Sequence, residues 1–144
     1  MARMLPSKPD PDSPNSEKRV FKVLESELPD DWVCIHSRRF VIPATHTGKA
    51  REGEVDFIVL HPNRGYVCLE VKGGRIERNK HNAWYSTDRD GKRHSIGDPS
   101  RQASKGCHSI KDYLRERFPS AALHYSWGVI FPDISTKGGL GPDL

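Results

Sequence analysis

Residues 53–74, GEVDFIVLHPNRGYVCLEVKGG, constrain the fold more than any other stretch of the chain. Two β-rich runs, residues 55–60 and 66–71, flank HPNRG, in which Pro62, Asn63 and Gly65 supply the chemistry of a tight reversal. Successive side chains on a strand point to opposite faces. Val67, Leu69 and Val71 therefore share one face, and Glu70 and Lys72 share the other. Folding the pair symmetrically about Asn63 sets Leu60 against Tyr66, Ile58 against Cys68 and Asp56 against Glu70. The last pairing puts two carboxylates side by side at the open end, which ordinarily destabilises a sheet.

Around this segment the hydrophobic period changes several times. Val20, Phe21, Leu24 and Leu28 recur at helical spacing, and Ser13-Pro14 offers a cap and a first helical residue, so a helix is expected over residues 14–28. Residues 32–35 and 39–42 read as extended, with Pro43 closing the second run. Residues 83–87 and 93–96 form a smaller hairpin around Asp90-Gly91. Asp98-Pro99 opens a second helix whose stripe is Ala103, Cys107, Ile110 and Leu114, and residues 125–131 make a last strand. The order is α-β-β-β-α-β, which predicts an α/β fold with a mixed central sheet flanked by helices. Residues 1–13, with Pro6, Pro9 and Pro11, read as a flexible lead-in, 14–132 as the folded domain, and 133–144 as a linker or truncated end.

Composition enters as exclusion. No apolar run approaches the ~18 residues of a membrane span, and MARMLPSKPDPDSPN lacks the apolar stretch of a secretory leader. The 3 cysteines are odd in number and widely spaced, so a reduced, cytoplasmic protein is expected. The 7 histidines show no zinc-ligand spacing, and there is no GxxxxGK[ST] phosphate loop. The net charge of +4 is unevenly spread. Residues 72–117 carry 12 basic and 6 acidic side chains, while the flanking stretches are each slightly acidic. Such a stretch suits a polyanion, or else is a solvated helix face with loop charges.

A divalent cation would relieve the crowding of Asp56 and Glu70. Two carboxylates and a backbone carbonyl suit Mg²⁺ or Mn²⁺, hard ions that keep several waters, and Lys72 would lie beside them. That set is what phosphodiester hydrolysis needs. The same spacing also fits a plain surface strand with a Glu-Lys pair and an Asp at one end. Glu54 falls opposite Lys72 in this register, as its salt-bridge partner or as an accessory acid. Trp84 and Tyr85, set among Arg75, Arg78, Lys80, Arg89, Lys92 and Arg93, would grip a nucleic-acid strand by stacking and phosphate pairing, or Trp84 anchors its hairpin from inside. Arg101 and Lys105 extend this basic set onto the second helix.

EVDFIVLHPNRGYVCLEVKGG resembles the D…(D/E)xK signature of the restriction-endonuclease-like PD-(D/E)xK superfamily. SEKRVFKVLESELPDDWVCIHS, GEVDF, EVKGG with the following Trp84, DPSRQASKGCHSIKDYL and WGVIFPD, in that order, resemble more narrowly the nuclease-related domain (NERD) family over about residues 13–132. The resemblance implies a restriction-endonuclease-like core and a metal-dependent nuclease acting on DNA. It implies Asp56, Glu70 and the Val71 carbonyl as metal ligands and Lys72 as the catalytic lysine. Glu17 would complete the metal shell, although its place in a helix's first turn is favoured by the helix dipole anyway. Gln102 would orient Lys72 or a substrate phosphate, although a lone Gln is ordinarily solvent-facing. MARMLPSKP and GVIFPDIS also resemble the start of bacterial proteins in which this domain precedes a DNA helicase, so a helicase, covalently linked or separate, is an expected partner and the chain reads as a fragment or a short stand-alone relative. The alternative reading is a DNA-binding module that does not cleave and that targets an attached helicase.

Overall fold

In the computed structural model, which describes residues 1–42 and 51–134, the HPNRG reversal joins β3 (Arg51–His61) to β4 (Gly65–Val71). The antiparallel register is the one the turn dictates, with His61 opposite Gly65, Leu60 opposite Tyr66 and Ile58 opposite Cys68. Gly65 has φ +92, and a Cβ there would sit 1.9 Å from the His124 carbonyl oxygen. Only glycine allows that approach. The ladder runs on to Phe57 and Leu69. Beyond it, the Asp56 carboxylate instead accepts the Val71 N–H at 2.8 Å.

Five strands form the central sheet in the order β1-β2-β3-β4-β8. β2 (Val33–Ile42) is antiparallel to β3, while β8 (Tyr125–Ile130) lies parallel to β4. The two extended runs expected at 32–35 and 39–42 are one continuous strand; Pro43, expected to end it, lies outside the described residues. Residues 1–13 are not all a loose lead-in. Arg3–Leu5 form β1, parallel to β2, and Met4 and the neighbouring Ala2 are buried in the core. With Ala2 and Met4 turned inward and Arg3 outward, even so short a strand has a buried face once β2 offers an edge to pair with.

α1 (Asn15–Glu27) and α2 (Pro99–Arg117) cover opposite faces of this sheet. On one face Val20 and Phe21 of α1 pack with Cys34, Phe57, Val59 and Val71. On the other Cys107 and Ile110 of α2 pack with Val55, Tyr66 and Cys68. Both faces of β4 are therefore apolar in its middle, as a central strand requires. α1 starts one residue later than expected, because Pro14 sits at the cap position with extended ψ 147 and its carbonyl receives the Lys18 N–H. α2 starts as expected, with the Asp98 side chain accepting from Ser100 and Arg101 N–H.

A second, three-stranded sheet comprises β5 (Arg75–Arg78), β6 (Trp84–Thr87) and β7 (Arg93–Ile96). The expected hairpin around Gly91 is present, and β5 adds an unexpected third strand to it. Trp84 is 4% exposed and its ring stacks on Phe131 just beyond β8, which ties the small sheet to the large one. Among the described residues no helix is long and apolar enough to cross a membrane.

The two turn glycines differ in a way that mutation can read. Gly91 has φ +79, but a Cβ added there would meet no atom within 4 Å, so Gly91→Ala should cost only the left-handed strain, about 1 kcal/mol. Gly65→Ala adds a collision with backbone and should cost at least twice that, about 2–3 kcal/mol. Urea unfolding of both variants checks the ordering.

Candidate functional site

Asp56, Glu70 and Lys72 meet at the open end of the β3–β4 hairpin. There a cavity of about 1080 Å³ lies between the first turns of α1 and α2. Glu70 and Lys72 share a face because they alternate along the end of β4, and Lys72 Nζ lies 3.1 Å from Glu70 Oε1. Asp56 enters from β3, fixed by its bond to the Val71 N–H. The chain leaves β4 through Gly73 and Gly74. A Cβ on Gly73 would meet Ser16 Oγ at 2.7 Å, so glycine is what lets α1 close over this end. Gly74, at φ +86, donates its N–H to Asp133 Oδ2, and Asp133 also pairs with Arg19 of α1.

The charge pattern of the cavity is unusual for a surface. Burial, then repulsion from Glu70 and Glu17, pushes the Asp56 carboxyl up to about 7, against the pull of the Val71 N–H and Lys72. Burial also raises Glu70, with Glu54 and Glu17 adding to it, and Lys72 opposes the shift by charge and hydrogen bond. Glu17 lines the same cavity but is itself held. Its Oε2 lies 2.9 Å from Nε2 of the buried His36. Among the described residues, no group of three or more His, Cys, Asp or Glu is close enough together to form a coordination sphere. Asp56 and Glu70 are hard oxygen donors beside the Val71 backbone, a partial set that fits a cation bringing its own waters.

Of the residues that sequence reasoning assigns to this chemistry, Asp56, Glu70, Val71, Lys72, Glu17 and Gln102 all line the cavity. Gln102 Nε2 occupies the space beside Gly97, 2.7 Å from where a Cβ would stand. The proposed strand-gripping set is rearranged. Lys105 lines the cavity, whereas Arg75, Lys80 and Arg101 are exposed outside its lining. Arg78 donates from Nε and Nη2 to Asn82 Oδ1 at 3.0 and 2.7 Å. The Trp84 ring is buried and cannot stack on a base. Tyr85 is covered by the Arg93 guanidinium at 3.6 Å, which also pairs with Glu77. The small sheet thus engages Trp84, Tyr85, Arg78 and Arg93 in its own contacts.

Cations of α1 that the sequence did not single out, Lys18, Arg19 and Lys22, stand at the rim instead, joined by Arg89 of the β6–β7 turn, which does belong to the expected basic set. The near-neutral balance of the first 71 residues hid the α1 group, although 18, 19 and 22 lie close together on one helical turn. Asp133, at the far end of the domain, gave no local signal. His36 did give one, since it alternates with Cys34 on an inward-facing parity and a buried histidine needs a polar partner.

The model of the nuclease-related domain family, NERD, matches residues 14–131. No curated protein and no solved structure matches the chain.

The raised Asp56 carboxyl makes a stability prediction. Between its ordinary value of 3.8 and about 7, the folded chain holds a proton that the unfolded chain releases, so this group's contribution to stability falls as pH rises through that window. Asp56→Asn keeps an acceptor for the Val71 N–H and removes the charge. Thermal melts without added metal should show the variant more stable than wild type at pH 8, with the difference gone near pH 4.

Proposed function

The chain belongs to the nuclease-related domain family, and from that footing we propose that it is a nuclease domain that hydrolyses DNA phosphodiester bonds with Mg²⁺ or Mn²⁺. The observation that supports this reading most is the meeting of Asp56, Glu70 and Lys72 on one wall of a cavity rimmed by cations. Their residue types answer to the parts of the reaction. Asp56, Glu70 and the Val71 carbonyl would hold the metal, since two crowded carboxylates that resist ionisation are relieved by a dication. When bound, the metal supplies charge neutralisation at the phosphate and a water of lowered pKa.

The remaining roles fall to the chain itself. Lys72, now paired with Glu70, places a fixed positive charge where the attacking oxygen and the phosphate must lie together. Gln102 offers a neutral donor and acceptor from the first turn of α2, suited to orienting Lys72 or a phosphate oxygen. Glu17 contributes a third carboxylate from α1. Lys18, Arg19, Lys22, Arg89 and Lys105 would bind the phosphates flanking the scissile one, a sequence-independent grip. Work in DNA repair or processing, joined to a helicase, is the setting we propose for this activity.

Plasmid nicking in Mg²⁺ or Mn²⁺ tests the reading. Wild type should cleave, and Asp56→Asn, Glu70→Gln and Lys72→Ala should each fall by about a hundredfold or more. EDTA should abolish cleavage. Wild type nicking no faster than Glu70→Gln removes the enzyme and leaves a module that only binds DNA. Binding itself should weaken steeply with salt, and Lys105→Ala should lower the slope of log K against log salt by about one.

A further inference from the structure

His36 lies on β2 with its side chain fully buried among apolar residues, behind the cavity wall and not part of its lining. Its ring is stacked on Phe57, with centroids 4.5 Å apart and planes 15° apart, and meets Phe21 edge-on at 5.5 Å. These contacts fix the ring plane. They also aim Nε2 at the Glu17 carboxylate, 2.9 Å away. A carboxylate only accepts, so the proton is assigned to Nε2 as donor. Nδ1 is then a bare acceptor, buried and without a partner among the described residues. For packing alone, Phe or Leu would fill the same volume and strand no polar atom. The bond to Glu17 is what the histidine adds.

Glu17 needs that bond. It extends from the first turn of α1 into a cavity where Asp56 and Glu70 repel it, on a side chain with three rotatable bonds. Left alone, its carboxylate would turn away from the other two acids.

We propose that His36 is a positioning residue of the acidic site, holding the Glu17 carboxylate in the cavity so that it faces the metal position defined by Asp56 and Glu70. The assignment rests on the metal-dependent reading above. Removing the donor should loosen Glu17 and weaken metal binding, as loss of an orienting partner does elsewhere.

Calorimetric Mn²⁺ titration of the full chain tests it. Asp56→Asn should show no binding. His36→Phe, which keeps the ring and loses the donor, should bind about ten- to a hundredfold more weakly than wild type. His36→Gln, whose amide nitrogen reaches a place similar to Nε2, should bind nearly as wild type does. In a Glu17→Gln background, His36→Phe should add little, because the two residues act as one unit. A His36→Phe variant that binds Mn²⁺ as tightly as wild type, while Asp56→Asn does not bind, overturns the proposal and leaves the nuclease reading standing. Wild type and Asp56→Asn binding alike overturns both. Should His36→Phe fail to fold by circular dichroism, the ring signals of His36 in the wild type decide the matter. They should shift as Mg²⁺ is added, and signals unmoved at saturation overturn the proposal.

Discussion

The bond from the Val71 N–H to the Asp56 carboxylate is the point on which the rest of the architecture turns. Up to Phe57 and Leu69 the hairpin is held by backbone pairing. One step further, a side chain takes over the role of a backbone carbonyl. The exchange fixes the Asp56 carboxylate at the end of the sheet, where an ordinary ladder would let a side chain rotate freely. It also brings Asp56 near Glu70, whose place on β4 is set by the same register. At the other end of the hairpin, Gly65 lets the turn close on the His124 carbonyl, so register has nowhere to slip. A rigid apolar hairpin with one sealed end and one acidic end follows from these two details.

Holding acids together in this way opposes folding, and the surrounding packing offsets it. Lifting one carboxyl from 3.8 to about 7 corresponds to a few kcal/mol in the charged state, on the order of 1.4 kcal/mol per pH unit. Burying one side chain the size of Phe57 or Phe21 contributes about 2 kcal/mol. About three such residues outweigh the penalty, and the sheet has apolar clusters on both faces. Burial also explains the cysteines. Cys34, Cys68 and Cys107 are free and enclosed, and burial raises all three thiols, so they act as small core residues. Cys107 packs with Ile110, as the stripe on α2 implies.

Much of this is legible in the order of residues alone. The hairpin register follows from turn chemistry, and the parity of Glu70 and Lys72 from strand geometry. The start of α2 follows from Asp98-Pro99, whose side chain caps as expected. What escapes the sequence shares a physical cause: it depends on partners distant in the chain. β1 is three residues long and has strand character only because β2 offers it an edge. β5, with the sequence Arg-Ile-Glu-Arg, has little apolar content and is a strand because β6 pairs with it. Trp84 reads equally well as a stacking ring or an anchor until Phe131, far along the chain, covers it. Arg19 finds Asp133 across almost the whole domain.

The division of labour between the helices follows from their first turns. The N-terminal end of α2 is not open to a phosphate in the usual manner, because Asp98 already accepts from the Ser100 and Arg101 N–H groups. α2 therefore addresses the cavity through side chains, Gln102 and Lys105, one neutral and one cationic. α1 has no side-chain cap and contributes an acid, Glu17, flanked by Lys18 and Arg19. The cations lie at the rim, in contact with water, and the acids lie within, where burial raises their energy. A polyanion approaching such a site meets attraction first. It then meets repulsion from Asp56, Glu70 and Glu17 unless a dication neutralises them. Attraction at the rim therefore does not depend on a dication, whereas close approach to the interior acids does.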